Sequence, residues 1–306
     1  MTTEWHDLTR SLRERFRDLH GPDKGLLLLP NCWDIGSARV LELAGAGAVA
    51  TSSSGHAGSL GVRDGRIGSD ELYTLVEQLV GVLRVPLSID AEEGFGDDAA
   101  GVASTVDMLA TIGAAGVSIE DRSRWEGIYP IDEAVERVGA AAEVANAAGM
   151  VLTARADAHL YPNDDPGQLF EDTLERLRRY AAAGAGVVYA PGLTDPAQIR
   201  RVVAEVDAPV NVLLLPGGPT VPELRDAGVR RASTGGALAW FAYAAMLQAM
   251  RQLGEGGDPA LLASGLPPDF RAAAFAHRRP PMSPEAEQGL DDAVRQLQSL
   301  MRNGPT

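Results

Sequence analysis

The sequence predicts a parallel (β/α)8 barrel of the TIM type, and three observations carry the prediction. Eight short apolar runs alternate strictly with longer segments of helical pattern, over roughly 210 residues. The runs are apolar throughout, as strands covered on both faces are. The phrases Ala44-Gly45-Ala46-Gly47, Gly113-Ala114-Ala115-Gly116 and Ala183-Gly184-Ala185-Gly186 recur just before strands, where glycine ends a helix and turns the chain into the sheet. A doubly wound open sheet is the alternative. The count of eight weighs against it, as does the lack of a Gly-rich phosphate fingerprint after the first strand.

Each element follows from local pattern. Residues 4–20 carry Leu8, Leu12, Phe16 and Leu19 at helical spacing. Strands are expected at 26–29, 48–51, 85–90, 116–120, 150–155, 186–190, 209–213 and 230–233. Helices are expected at about 35–44, 69–83, 98–112, 131–148, 166–183, 195–204, 220–227 and 236–252. Residues 52–58 read as a Ser/Gly-rich loop. After 252 the alternation stops. Gly254 to Pro259 reads as a linker, and Pro267-Pro268 and Pro280-Pro281 punctuate the tail. Residues 284–301 read as a last helix with Leu290, Ala293, Val294 and Leu297 on one face. The expected organisation is therefore a barrel with its N-terminal helix over 1–252 and a helical arm over 253–306. The arm is too small for a core of its own, so it must pack on the barrel or on a neighbour.

Composition narrows the partners. The chain has 306 residues, 45% of them hydrophobic, and a net charge of −15. No basic excess exists to neutralise phosphates, so nucleic acid is an unfavourable partner. The acidic balance also repels anionic membranes. The single cysteine, Cys32, excludes an internal disulfide and a Cys-rich zinc site. The first residues are charged and lack the apolar segment of a secretory signal, so a cytoplasmic protein is expected.

In barrel enzymes the site lies at the C-terminal ends of the strands. Reading only those positions gives a polar set. Asn31 and Asp34 follow the first strand; Ser52, Ser53 and Ser54 follow the second, with Asp64 further along that loop. Asp90, Glu92 and Glu93 follow the third, Glu120 and Asp121 the fourth, Arg155 and Asp157 the fifth, and Asn211 stands in the seventh. The stretch Ser88-Ile89-Asp90-Ala91-Glu92-Glu93-Gly94-Phe95-Gly96-Asp97 is the centre of the set. A buried strand that ends in clustered carboxylates must solvate, pair or metallate them. Hard oxygen donors of this kind suit Mg²⁺ or Mn²⁺. The rival reading is a solvated acidic loop opening the next helix, where acids favour the helix N-terminus. Arg155 is placed to clamp a substrate carboxylate.

These stretches resemble the isocitrate lyase / phosphoenolpyruvate mutase superfamily. The resemblance rests on Leu60-Gly61-Val62-Arg63-Asp64, on Asp90-Ala91-Glu92-Glu93-Gly94-Phe95-Gly96, on Ser118-Ile119-Glu120-Asp121 and on Thr153-Ala154-Arg155, and it covers about 25–250. It implies a (β/α)8 barrel whose last helix is exchanged between subunits, in a homodimer or homotetramer. It also implies Mg²⁺ (or Mn²⁺) beside a 2-oxo or enolate substrate. By resemblance Asp90 is the principal metal ligand, and Asp64, Glu92 and Glu120 hold the metal's waters. Arg155 meets the substrate carboxylate, and Ser52, Ser53 and Ser54 form the substrate cradle. Glu92 stands where the family usually has Asp.

The loop after the fourth strand departs from the family. Isocitrate and methylisocitrate lyases carry a Cys-Gly-His loop there; here it runs from Arg122 to Pro130 without Cys or His. The lysine and Asn or Thr of the mutases and phosphonopyruvate hydrolases are absent too. Tyr129 is the acid–base candidate left in this loop. His56 and His159 lie on presumed site loops, and each also reads as an ordinary loop histidine. Trp125 and Tyr129 serve equally as lid or packing, whereas Cys32 and Trp33 read as packing behind the site. The expected activity is Mg-dependent C–C bond cleavage or decarboxylation of a small 2-oxo or 2-hydroxy acid through a metal-stabilised enolate. P–C bond chemistry on phosphonopyruvate and a barrel that binds a ligand without turnover are the alternatives.

Overall fold

The computed structural model describes residues 3–125, 127–161 and 166–276. Helix α1 (Thr3–Leu19) precedes β1 (Leu27–Leu29), β2 (Asn31–Cys32), α2 (Ile35–Leu43), β3 (Val49–Thr51), α3 (Ser53–Ser59) and α4 (Ser69–Val82). Then come β4 (Leu87–Asp90), α5 (Ala99–Ile112), β5 (Gly116–Glu120) and a small hairpin, β6 (Arg122–Ser123) with β7 (Gly127–Ile128). Next are α6 (Ile131–Ala148), β8 (Val151–Arg155), α7 (Pro166–Ala182), β9 (Val187–Tyr189), α8 (Pro196–Glu205), β10 (Val210–Leu213), α9 (Val221–Asp226) and β11 (Arg231–Ser233). Helices α10 (Ala237–Gly254) and α11 (Pro268–Ala274) finish the described chain.

Nine strands form one parallel sheet that returns on itself. β1 pairs with β11, and β2 pairs with β3. Only Pro30 separates β1 from β2. Proline has no N–H for a ladder, so one barrel strand, 27–32, is split in two. The eight predicted strands are thus the eight of the barrel, each within a residue or two of its expected bounds except the first, which runs three residues further, to Cys32. Val76, Leu79, Ile89, Val106, Leu109, Val117, Ile119, Leu152, Leu174 and Val188 are fully buried between sheet and helices. Below the barrel, Phe16 of α1 presses against Gly116 so closely that a Cβ there would lie 2.6 Å from its ring. Arg13 donates to the carbonyls of Ala110, Ala114 and Ala148, tying α1 to the ends of α5 and α6.

Two elements differ from expectation. The Ser/Gly-rich stretch is helix α3, not a loop. The Ser52 hydroxyl accepts from the Gly55 amide and caps it. Gly55 and Gly58 let it approach Trp33, Ala239 and Trp240, so packing overrides poor propensity. The tail contains α11, which starts at Pro268, where a missing N–H costs nothing. Its Phe270 and Ala274 pack on Leu43 of α2, and Arg39 donates to the carbonyls of Ala274 and Ala276. The arm therefore begins by packing on its own barrel. The predicted helix at 284–301, with its proposed exchange between subunits, lies outside the described residues. Helix α10 leaves Trp240, Phe241, Met246, Leu247 and Met250 exposed. Among the described residues no helix is long and apolar enough to cross a membrane.

Candidate active site

The strand ends converge as a tilted row. Glu120 of β5 pairs in register with Arg155 of β8, Arg155 with Tyr189 of β9, Tyr189 with Asn211 of β10, and Asn211 with Arg231 of β11. Strand tilt makes the row descend from the acidic mouth at Glu120 into the barrel at Arg231. Two adjoining cavities follow it. An inner one of about 180 Å³ touches Ser52, Ser54, Asp90, Tyr189, Asn211 and Arg231. An outer one of about 380 Å³ touches Glu92, Glu120, Arg63, Arg66, Arg122 and Arg124. Ser53, Asp64, Arg155 and Leu160 border both.

Arg155 is the hub of the mouth. Its Nη1 donates to Asp90 at 2.8 Å, and its Nη2 reaches Glu120 at 2.9 Å and Asp157 at 2.7 Å. Its Nε donates to Asp157 at 3.1 Å. Burial alone pulls the guanidinium's pKa down, but Asp157, Glu120 and Asp90 together hold it well above the usual arginine range. Three carboxylates against one guanidinium leave two excess negative charges if all ionise. Burial instead lifts Glu120 well above the carboxylate range, with Asp157, Asp90 and Glu92 adding to it and Arg155 opposing. Glu92 is pushed up to about 8, by burial first; Arg124 opposes, and Asp90, Glu93 and Asp64 add.

The turn that carries the acids is built for close quarters. Glu92 and Phe95 adopt φ of 49° and 56°, a region that side chains rarely occupy. A Cβ on Gly96 would lie 2.4 Å from the Gly101 backbone, so only glycine lets this turn close on α5. Arg124, from the hairpin β6–β7, bridges Glu92 at 3.2 Å and Glu93 at 2.6 Å and pins the turn. Asp90 is fixed from two sides: its amide donates to the Thr51 hydroxyl at 2.8 Å, and its Oδ2 accepts from the Ser53 amide at 3.1 Å.

Most of the predicted residues meet here, with several corrections. Asp64, Asp90, Glu92, Glu120, Arg155, Ser52, Ser53, Ser54 and Asn211 all border the paired cavities. The serine cradle is partly committed elsewhere: the Ser52 hydroxyl caps α3, the Ser53 amide serves Asp90, and Ser54 Oγ accepts from Trp240. Tyr129 is not brought to either cavity. The hairpin turns its ring back onto the core under Arg137, at 4.5 Å from the guanidinium carbon. Asp121 is buried and structural, accepting from Tyr180 at 2.6 Å, the Asp157 amide at 2.9 Å and Arg176 at 3.2 Å. His56 hydrogen-bonds the Trp33 carbonyl, and neither it nor His159 borders the two cavities. Trp125 is 80% exposed at the outer rim, so it packs on little.

Pattern reading missed Arg231 and Tyr189 inside the barrel and the arginines of the outer wall. A partial signal is present: alternation along a barrel strand must send one of the adjacent Arg230 and Arg231 inward.

The donor set is all oxygen, with Asp90 central and Asp64, Glu92 and Glu120 around it. Among the described residues no three acidic, His or Cys side chains form a ready-made cage. Mg²⁺ fits that arrangement, because it takes one or two carboxylates and keeps several waters. Burial and neighbouring acids raise both Glu92 and Glu120, the direction expected where negative charge is crowded and short of cations.

Known proteins share this arrangement of the chain. The phosphoenolpyruvate phosphomutase family model matches residues 16–254. The 2-methylisocitrate lyase of Escherichia coli (strain K12) is 32% identical over 209 residues, covering 64% of this chain and 69% of that one. A crystal structure from Burkholderia cenocepacia J2315 is 39% identical, with a TM-score of 0.82, covering 88% of this chain and 98% of that one. At the level of fold alone, phosphonopyruvate hydrolase in complex with oxalate and Mg²⁺ has a TM-score of 0.69 at 19% identity, covering 95% of this chain and 98% of that one.

Proposed function

The chain belongs to the phosphoenolpyruvate mutase / isocitrate lyase family of enzymes, which includes carbon–carbon lyases, and from that premise we propose that it cleaves the C–C bond beside the 2-oxo or 2-hydroxy group of a small carboxylic acid, decarboxylation included. One observation carries the reading: Asp90, Glu120 and Asp157 converge on Arg155, with Glu92 beside them at a cavity of acid size. Three acids sharing one guanidinium, with Glu92 and Glu93 sharing Arg124 beside them, are costly to fold around unless a further cation uses them. Asp90 would hold Mg²⁺ or Mn²⁺ directly, with Asp64, Glu92 and Glu120 on its waters. When bound, such an ion supplies positive charge where negative charge develops on the substrate oxygen.

The chain's own residues do the rest. Were Asp90 and Glu120 given over to such an ion, Arg155 would keep Asp157 and have Nη1 and the second N–H of Nη2 free for a substrate carboxylate, in the bidentate manner that suits a guanidinium. Asp157 Oδ2 and Oδ1 hold Arg155 Nη2 and Nε, so the guanidinium plane stays set while its other edge changes partner. Among the described residues, the loop after β5 lends Arg122 and Arg124 to the outer wall and no acid–base side chain to the inner cavity. Loss of CO₂ leaves carbanion charge next to the carbonyl and needs no base from that loop, which favours decarboxylation within the class.

The test is a panel of 2-oxo and 2-hydroxy diacids together with phosphonopyruvate, followed by NMR with Mg²⁺ and with EDTA. Cation-dependent release of a C–C cleavage product is the expected result. Turnover of phosphonopyruvate alone would move the activity to P–C chemistry, and no turnover of any member would contradict the proposal.

A further inference from the structure

The inner cavity ends on a second arginine in very different company. Arg231 is 4% exposed and sits inside the barrel. Its Nε donates to Asn211 Oδ1 at 2.9 Å, and its Nη2 donates to Thr153 Oγ1 across the barrel at 3.0 Å. Both partners are neutral. Its Nη1 is buried and has no hydrogen-bond partner, and the side chain lines the cavity. Among the described residues no carboxylate pairs with it. A buried charge left unpaired is strongly unfavourable, and so is a buried donor left unmet. The surrounding groups are built to fix that charge and leave it unneutralised. Asn211 turns its carbonyl to Arg231 and its amide to Ser233 Oγ at 2.9 Å. Ser52 and Tyr189 add neutral polar surface to the wall.

We propose that Arg231 is the anion-binding floor of the inner cavity, its free Nη1–H taking one oxygen of a carboxylate that the substrate points into the barrel. This rests on the proposed activity and deepens it by giving the two ends of a diacid different residues: one carboxylate at the Arg155 mouth and the other on the Arg231 floor. The mouth supplies excess negative charge and the floor an unanswered positive charge, so the ends of a dianion bind by different means. At the mouth the carboxylate must displace an acid from Arg155 or meet a cation; at the floor it meets a bare donor. Burial lowers Arg231 to about 10, which leaves it charged at neutral pH. A cavity of about 180 Å³ is ample for a small organic acid rather than a single water.

The experiment compares malonate with its half-amide, malonamate, which has the same size and one charge fewer, by calorimetry on the full-length protein in Mg²⁺. The wild type should prefer malonate by about tenfold, the worth of one charge-assisted hydrogen bond. Arg231→Met should abolish the preference. Asn211→Asp, which places a carboxylate on Arg231 without removing it, should abolish it as well, and this second variant decides the matter if the first does not fold. Arg231→Lys should restore part of the preference. A wild type that binds the two acids alike would overturn the proposal, and so would a preference that survives in the folded variants. Loss of preference in a protein inert toward the whole acid panel would sink the proposed reaction and keep the floor. Turnover with a preference untouched by either variant would do the reverse.

Discussion

Arg155 and Arg231 stand three strands apart in one cross-strand row, and their surroundings are opposite. Arg155 meets three carboxylates within 3.0 Å; Arg231 meets two neutral oxygens and keeps its Nη1 without a partner. Burial is similar, so the difference lies in the company each keeps. The lesson is that an arginine's role in a barrel is set by its count of acids. Overmatched by carboxylates, it organises them and marks where a cation belongs. Undermatched, it is left to bind an anion from outside.

The largest effect should come from the acid that both Arg155 and the proposed cation share. Asp90→Ala should lower Mg²⁺-dependent turnover at least about a hundredfold, the scale of removing a directed charge from a reacting centre, with the circular dichroism unchanged. Glu92→Ala should cost less, because Arg124 and Glu93 still hold the turn. Equal losses in the two variants would erase the distinction between the central ligand and the outer acids.

Stability separates the two arginines next. Arg155→Met strands Asp157 and its neighbours without a cation, and should cost about 3–5 kcal/mol in denaturant unfolding with EDTA present. Arg231→Met removes a buried charge that has no counter-ion, and should be nearly neutral or stabilising. If both variants lost the same stability, the contrast in their surroundings would carry no energetic weight.

A smaller effect reports on Arg231 from below. His20 is buried against α1 and lowered from 6.5 to about 4, by burial first and then by the charge of Arg231, with the Phe16 carbonyl opposing. The unfolded chain therefore takes up this proton near pH 6.5 while the folded chain does not. His20's contribution is fully present above pH 6.5 and is lost as pH falls through the window toward 4. By NMR titration, Arg231→Met should raise the His20 midpoint. An unmoved midpoint would mean that Arg231 carries little charge where it sits. Smallest of all, Tyr129→Phe should leave turnover within about twofold, because its ring lies under Arg137, away from both cavities, and surface or packing changes of this size are mild. A large loss would return Tyr129 to the site.

Much of the mouth was legible in the chain itself. Asp90, Glu120 and Arg155 end apolar strands, and an acid at the end of a buried strand leaves a visible break in hydropathy. The row was not legible, because it depends on register and strand tilt, which no local pattern encodes. Arg230 and Arg231 are adjacent, and alternation sends one outward, to the Lys24 carbonyl, and one inward. The sequence does not say which. Helix α3 was hidden because Ser and Gly are poor helix formers, and the contacts that hold it come from Trp33 and from α10. Tyr129 was misplaced because the hairpin β6–β7, only two residues to a strand, is too short to leave a periodic signal.

The central claim is that the carboxylates gathered at Arg155 exist to hold one divalent cation through Asp90. Calorimetric titration of Mg²⁺ into the wild type and Asp90→Ala at neutral pH tests it most directly. The account predicts one Mg²⁺ site per chain in the wild type and none in the folded variant. Equal binding by the two proteins, or no binding by the wild type, would contradict it.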